Sequence, residues 1–262
     1  MYKLSLLSVT LLFIFCCNLR GQLVPVDNNK NDGNDGCGAD WRLVFQEDFD
    51  GDAVDQSEWN MYNGRGHVGN GWRRPEAFTV ENGLLVVTAQ MKQKPLGNGR
   101  DTTVLVSGGM AHRRTYTHGR FEFRVRTEPC PDNATSGVVL TWPRSERWPR
   151  DGELDIYETM TNTPRNPFYT VVHFVKDEKH EQIQFRHHID GTQWHIVMLE
   201  WVEDAIRIFI NGEVAWELTE PAEAIPQTAH KLCIQLDAFK HQMNGTVRMY
   251  VDWVKIYQKV VE

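Results

Sequence analysis

The stretch RWPRDGELDIYETM, Arg147–Met160, sets four carboxylates, Asp151, Glu153, Asp155 and Glu158, among aliphatic and aromatic side chains. Acidic groups this close repel one another, so their crowding needs a reason. Ile156, Tyr157, Thr159 and Met160 favour extended chain. On a regular strand successive side chains alternate between faces. Glu153 and Asp155 then share a face, whereas Glu158 is turned to the other. One β-bulge, with its extra residue at Ile156 or Tyr157, brings Glu158 back beside them. Asp151, just before Gly152, reads as a turn residue.

The same extended texture runs outward on both sides. In GRFEFRVRT, Phe121, Phe123 and Val125 alternate with Glu122, Arg124 and Arg126. FTVENGLLVVTA, around Glu81-Asn82-Gly83, and AIRIFINGEVAWEL read as hairpins, the second with Asn211-Gly212 supplying the positive φ angles of a tight turn. GVVLTW, YTVVHF, WHIVMLEW, KLCIQLDAF and GTVRMYVDWVKIY are further strands. EPAEAIPQTA is held to about one helical turn by Pro221 and Pro226. Many short strands in antiparallel order predict an all-β sandwich or jelly roll.

A chain of 262 residues allows one large domain or two small ones and can bury a core without staples. Its net charge of -7, with no basic run, disfavours nucleic acid and anionic membranes as partners. Lys3 followed by the apolar run Leu4–Cys17 has the form of a secretory signal, expected over residues 1–21, and the run is too short for a comfortable membrane span. A secreted, extracellular protein with no membrane association after cleavage is expected. Residues 22–40 are polar and read as a flexible lead-in; the uniform texture of 41–262 reads as one domain. Of the cysteines left after cleavage, Cys37 and Cys130 lie in loop-like sequence and are the expected pair, while Cys233 reads as a buried thiol. Asn133-Ala-Thr and Asn244-Gly-Thr are glycan acceptor sequences.

Spacing alone leaves three readings of the acids open: a solvated strand face, a calcium site, or a catalytic carboxylate pair. Buried neighbours at Leu154 and Ile156, and the rigid apolar surfaces of Trp142, Pro143, Trp148 and Pro149, weigh against the first two. Glycoside hydrolysis needs one ionised carboxylate and one that holds a proton. A third acid between them favours that split, because close like charges cannot all ionise.

ELDIYE resembles the catalytic strand E-[ILV]-D-[IV]-x-E of glycoside hydrolase family 16, in its laminarinase-like, endo-1,3-β-glucanase branch. WRLVFQEDFDGDAVDQSEWN, THGRFEFRVRT, DGTQWHIVMLEW, IRIFINGE and VDWVKIYQ are similar to its other strands. The resemblance implies a β-jelly-roll of two antiparallel sheets, concanavalin A-like, with a concave substrate cleft. It implies Glu153 as nucleophile, Asp155 as its orienting partner and Glu158 as acid/base, with retention of configuration. A β-glucan polysaccharide, β-1,3-linked first, is the implied partner of a monomer that requires no cofactor. Trp148, Trp142, His173, Trp72 and Arg74 are the candidate sugar-binding residues. Glu47 and Asp252 are candidates for a structural calcium on the far face but read first as exposed acids, so no metal is assigned.

GWRRPEAFTV departs from the W-x-N-x-E-x-Q-x-Y strand of many laminarinases, and SGVVLTWPRSERWPRDGE from their P-A-x-W entry. These changes touch sugar subsites, not the acids. They keep open a mixed-linkage glucan or a galactan as substrate. A non-catalytic β-glucan recognition protein and a calcium-dependent lectin are the rival readings; the former commonly loses the glutamates kept here.

Overall fold

The computed structural model describes residues 40–95, 101–161 and 165–260, all within one compact unit, Asp35–Glu262. The expected signal segment, the expected lead-in as far as residue 39, and Cys37 with its expected pairing lie outside the described residues.

The strands are β1 (Trp41–Glu47), β2 (Trp59–Met61), β3 (Gly64–Arg65), β4 (Trp72–Arg73), β5 (Phe78–Glu81), β6 (Leu84–Pro95), β7 (Asp101–Ser107), β8 (Gly109–His112) and β9 (Gly119–Thr127). They continue as β10 (Thr135–Pro143), β11 (Glu153–Glu158), β12 (Phe168–Lys176), β13 (Lys179–His187), β14 (His195–Trp201), β15 (Ile206–Ile210), β16 (Glu213–Leu218), β17 (His230–Ala238) and β18 (Thr246–Lys259). Helical structure among the described residues is confined to single 3-10 turns, including Ala222–Ala224 between the prolines of EPAEAIPQTA.

Two sheets form, as the jelly-roll expectation requires. One runs β13-β12-β11-β10-β17-β8-β2. The other runs β16-β15-β14-β9-β18-β6-β7-β4-β3, with β1 on β18 and β5 on β6. The pairing is antiparallel with one short exception: β4 lies parallel to β7, through Trp72 opposite Val106 and Arg73 opposite Ser107. The predicted hairpins are present. Asn82 and Gly83 have φ of 54° and 72°, and Asn211 and Gly212 have 53° and 88°, the left-handed backbone that Asn and Gly tolerate best.

The core lies between the sheets. Phe121, Phe123 and Val125 of β9 and Val197, Leu199 and Trp201 of β14 meet Leu154, Ile156 and Tyr157 of β11 and Ile234 and Leu236 of β17. Alternation therefore leaves the other face of β10, β11, β12 and β17 free for a cleft. Cys130 is fully buried, and its Sγ accepts the Ala134 N–H at 3.3 Å. Cys233 is buried, as expected, but on the cleft side of β17.

Candidate active site

Strand β11 is bulged. Against β10, Asp155 lies opposite Leu140 and Tyr157 opposite Val139, so Ile156 is the extra residue. Against β12, Asp155 lies opposite Val171 and Glu158 opposite Tyr169, which leaves Thr170 alone facing both Ile156 and Tyr157. Two consecutive side chains, Ile156 and Tyr157, thus enter the core. The Tyr157 hydroxyl is anchored there, 3.1 Å from both Thr127 Oγ1 and Gly191 O. As a result Glu153, Asp155 and Glu158 line one cleft of about 1100 Å³. Ahead of them, Asp151 sits in a turn, bound by Arg147 at 2.8 Å, and Gly152 takes φ 86° where a Cβ would meet Pro226 at 2.6 Å.

Burial and mutual repulsion lift all three acids above the usual carboxylate range. For Glu153 burial is the largest cause and Asp155 adds to it, while His173 and a hydrogen bond from Trp148 pull the other way. That bond, Trp148 Nε1–H to Glu153 Oε2, is 2.5 Å long. Asp155 is raised by burial and by Asp237. Glu158 is raised well above its ordinary range, by burial first and then by Asp155, Asp237 and Glu153, with no opposing cause. The cluster cannot be fully ionised near neutrality. Glu153 has a donor and a neighbouring imidazole to support a negative charge; the surroundings of Glu158 favour the proton.

His173 sits opposite Glu153 on β12. Its Nε2 is 3.3 Å from Asp155 Oδ2, and its Nδ1 is 2.9 Å from His180 Nε2. Burial lowers the His173 pKa, so a neutral ring that accepts from His180 and donates to Asp155 satisfies both contacts. His173 lines the cleft, where a sugar-binding residue is expected, and it also buttresses Asp155. Glu153, Asp155 and His173 also offer ligand-type atoms within 4.8 Å of one another, a grouping able to hold a metal ion. Glu47 and Asp252 are engaged apart from each other: Glu47 accepts the Phe49 N–H at 2.9 Å, and Asp252 pairs with Arg124.

Trp142 and Trp148 both line the cleft, their rings 6.3 Å apart and within 7° of parallel. Trp148 is 41% exposed, so an apolar face is available to a sugar ring. Trp72 and Arg74 are not among the cleft-lining residues. Arg74 lies 4.5 Å over the Trp72 ring, which Lys94 and Arg65, the latter a cleft-lining residue, also cover. Alternation explains the correction: Arg73, between them, is the residue directed into the cleft. It grips Asp237 Oδ1 through Nε at 3.0 Å and Nη2 at 2.6 Å.

Asp237, Gln235 and Cys233 lie on the cleft face of β17, and the Tyr62 hydroxyl is 3.4 Å from Cys233 Sγ. Gln235 stands in register with Val138 and hence with Glu158. A usable signal for these residues was present in KLCIQLDAF. Its polar groups fall at alternate positions of an apolar strand, which marks a second, non-core face.

The profile of glycosyl hydrolases family 16 matches residues 70–255. The catalytic domain of an endo-1,3-beta-glucanase (laminarinase) from Thermotoga petrophila RKU-1 shares the fold at a TM-score of 0.71 and 22% identity, covering 85% of this chain and 99% of that domain. A beta-glucanase of Rhodothermus marinus is 29% identical over 222 residues, 69% of this chain and 68% of that protein. The clotting factor G alpha subunit of Tachypleus tridentatus is 25% identical over 239 residues, 83% of this chain; the chain spans only 34% of that relative's length.

Proposed function

The chain belongs to glycosyl hydrolases family 16, and on that premise we propose that it is a secreted, retaining endo-glycosidase of β-glucan, with β-1,3-linked, laminarin-like chains as its first substrate. Glu153 attacks the anomeric carbon while Glu158 gives its proton to the departing glycosidic oxygen, leaving a covalent glycosyl-enzyme. Glu158, now a carboxylate, takes a proton from water, which attacks the same carbon and releases Glu153. Asp155, held by His173, limits the motion of the acids and shares their negative charge. No cofactor enters either step.

The observation that supports this most is the unequal setting of the two glutamates on one bulged strand. Glu153 receives the Trp148 N–H, whereas every neighbour acting on Glu158 favours its protonated form. That is the division retaining hydrolysis demands. The β-1,3 choice is supported by the spacing of ELDIYE and by the activity named for the Thermotoga protein, and β-glucan as the substrate class by the name of the Rhodothermus protein. Secretion is supported by the apolar run Leu4–Cys17.

The test is a polymer panel of β-1,3, β-1,4, mixed-linkage and galactan chains, with products sized and their anomeric configuration followed by NMR from the first turnovers. Oligosaccharides from laminarin that appear first as the β-anomer are expected. Inverted products would overturn the mechanism. Cleavage confined to galactan would overturn the substrate, and binding of laminarin without new reducing ends would point to a recognition protein.

A further inference from the structure

A bulge brings Glu158 to the cleft, and a bulge disturbs the ladder of backbone hydrogen bonds around its extra residue. Buried carbonyls left over in this way need another donor. Here the donor is a side chain. Thr170, the residue that alone faces Ile156 and Tyr157, points to the core side and is buried. Its hydroxyl donates to the Ile156 carbonyl oxygen at 3.1 Å. The hydroxyl oxygen itself, Thr170 Oγ1, lies 2.9 Å from His187 Nε2. Because the hydroxyl proton is committed to Ile156, His187 must be the donor in that second bond, as the Nε2–H tautomer. His187 is itself buried, between Phe168 and Phe185 at 5.0 Å each, and burial holds its pKa down to about 4, which keeps the ring neutral.

We propose that Thr170, oriented by His187, is a positioning residue for Glu158: the pair clamps the bulge from the core side and so fixes the direction of the acid/base carboxyl on the cleft side. The inference rests on the reading of Glu158 as the acid/base. Neither residue reaches the cleft, since both act from beneath the sheet. Without the clamp the bulge is free to shift its extra residue along β11, and each shift past Tyr157 re-aims Glu158. Glu153 and Asp155 precede the bulge and pair regularly with β12, so they keep their places. The expected signature is a selective loss of proton transfer.

Thr170→Val removes the hydroxyl and keeps the shape. It should lower kcat on laminarin by about 10–100-fold with KM little changed. A laminaribioside carrying a dinitrophenyl leaving group needs no proton to leave. The burst of dinitrophenolate from Thr170→Val should therefore match wild type. Thr170→Ser, which restores a hydroxyl, should recover most of the laminarin activity. If Thr170→Val does not fold, His187→Phe tests the same clamp and should show the same selectivity to a lesser degree. Wild-type kcat on laminarin, equal losses on both substrates, or a serine variant no better than valine would overturn the proposal. Glu158→Ala serves as the parallel control. If it lacks leaving-group selectivity, the assignment of Glu158 fails; if it shows selectivity and Thr170→Val does not, only the clamp fails.

Discussion

Glu153 and Glu158 stand on the same strand and line the same cleft, but their surroundings differ in kind. Glu153 faces an aromatic wall of Trp142, Trp148, His173 and His180, which supplies a hydrogen bond and an imidazole. Glu158 faces Asp155 and Asp237 across a buried surface that supplies only negative charge. The same residue type thus stands in two settings: both are raised by burial, but only at Glu153 do neighbours act in favour of the charge. What separates them is what donates to each side chain, not how deeply each is buried.

The strongest way to break this comparison is to delete each member. Glu153→Ala should abolish turnover of every substrate, natural or activated, by at least about 10³-fold in steady-state kcat. Glu158→Ala should cost about 10²–10⁴-fold on laminarin. Added azide, a nucleophile that needs no general base, should speed the second step of that variant and yield a β-glycosyl azide. Azide products from Glu153→Ala with the same configuration would reverse the two roles.

Trp148→Phe keeps most of the aromatic face and removes the N–H. Glu153 then loses one of the two influences that favour its charge. The acidic limb of the pH–rate profile should move up, and kcat below neutrality should fall by about ten-fold. An unchanged profile would show that the 2.5 Å bond is not what keeps Glu153 ionised.

Asp237→Asn removes a neighbour that raises both glutamates but ranks higher among the causes for Glu158. It also frees the Arg73 charge, which acts in the same direction. The alkaline limb should shift to lower pH by more than the acidic limb, so the profile narrows. A shift of the alkaline limb upward would contradict the charge crowding described for Glu158.

The smallest expected effect is on stability. Burial raises Glu158 above its unfolded pKa, so between those two values the native protein holds a proton that the unfolded chain has released. Stability therefore falls as pH rises through that window and is fully present only below the ordinary carboxylate range. Glu158→Gln should raise the Tm at neutral pH, a gain of about 1 kcal/mol that vanishes near pH 4. Calorimetry at both pH values measures it; a gain of equal size at pH 4 would mean packing and not ionisation is responsible.

Much of this site could be read from sequence, for a reason specific to strands. Side-chain parity is a strict two-fold rule, so the odd interval between Glu153 and Glu158 demanded a bulge, and Ile156 supplies it. The alternation of β9 and the Asn-Gly hairpins were legible in the same way. Parity helps only where a strand's facing is known. β4 has just two residues, too few to show a period that would separate Trp72 from Arg73. The Asp155–His173–His180 chain depends on a hairpin whose turn, Asp177–Glu178, has φ of 50° and 61° without glycine. It makes His180 a diagonal neighbour of His173 across β12 and β13. The ion pair of Arg73 with Asp237 joins residues 164 positions apart, a distance over which no local pattern carries information.

The bulge also bears on how strands of this type can change length. An insertion or deletion within a strand ordinarily turns every later side chain to the opposite face. Here the extra residue is absorbed by the bulge. Excising Ile156 would leave Glu-Leu-Asp-Tyr-Glu, an unbulged strand whose three acids still alternate onto one face. What the shorter strand would lose lies underneath: a fully buried isoleucine and the carbonyl that Thr170 holds. A length change at this position rewrites the packing of the core and leaves the orientation of the acids as it was.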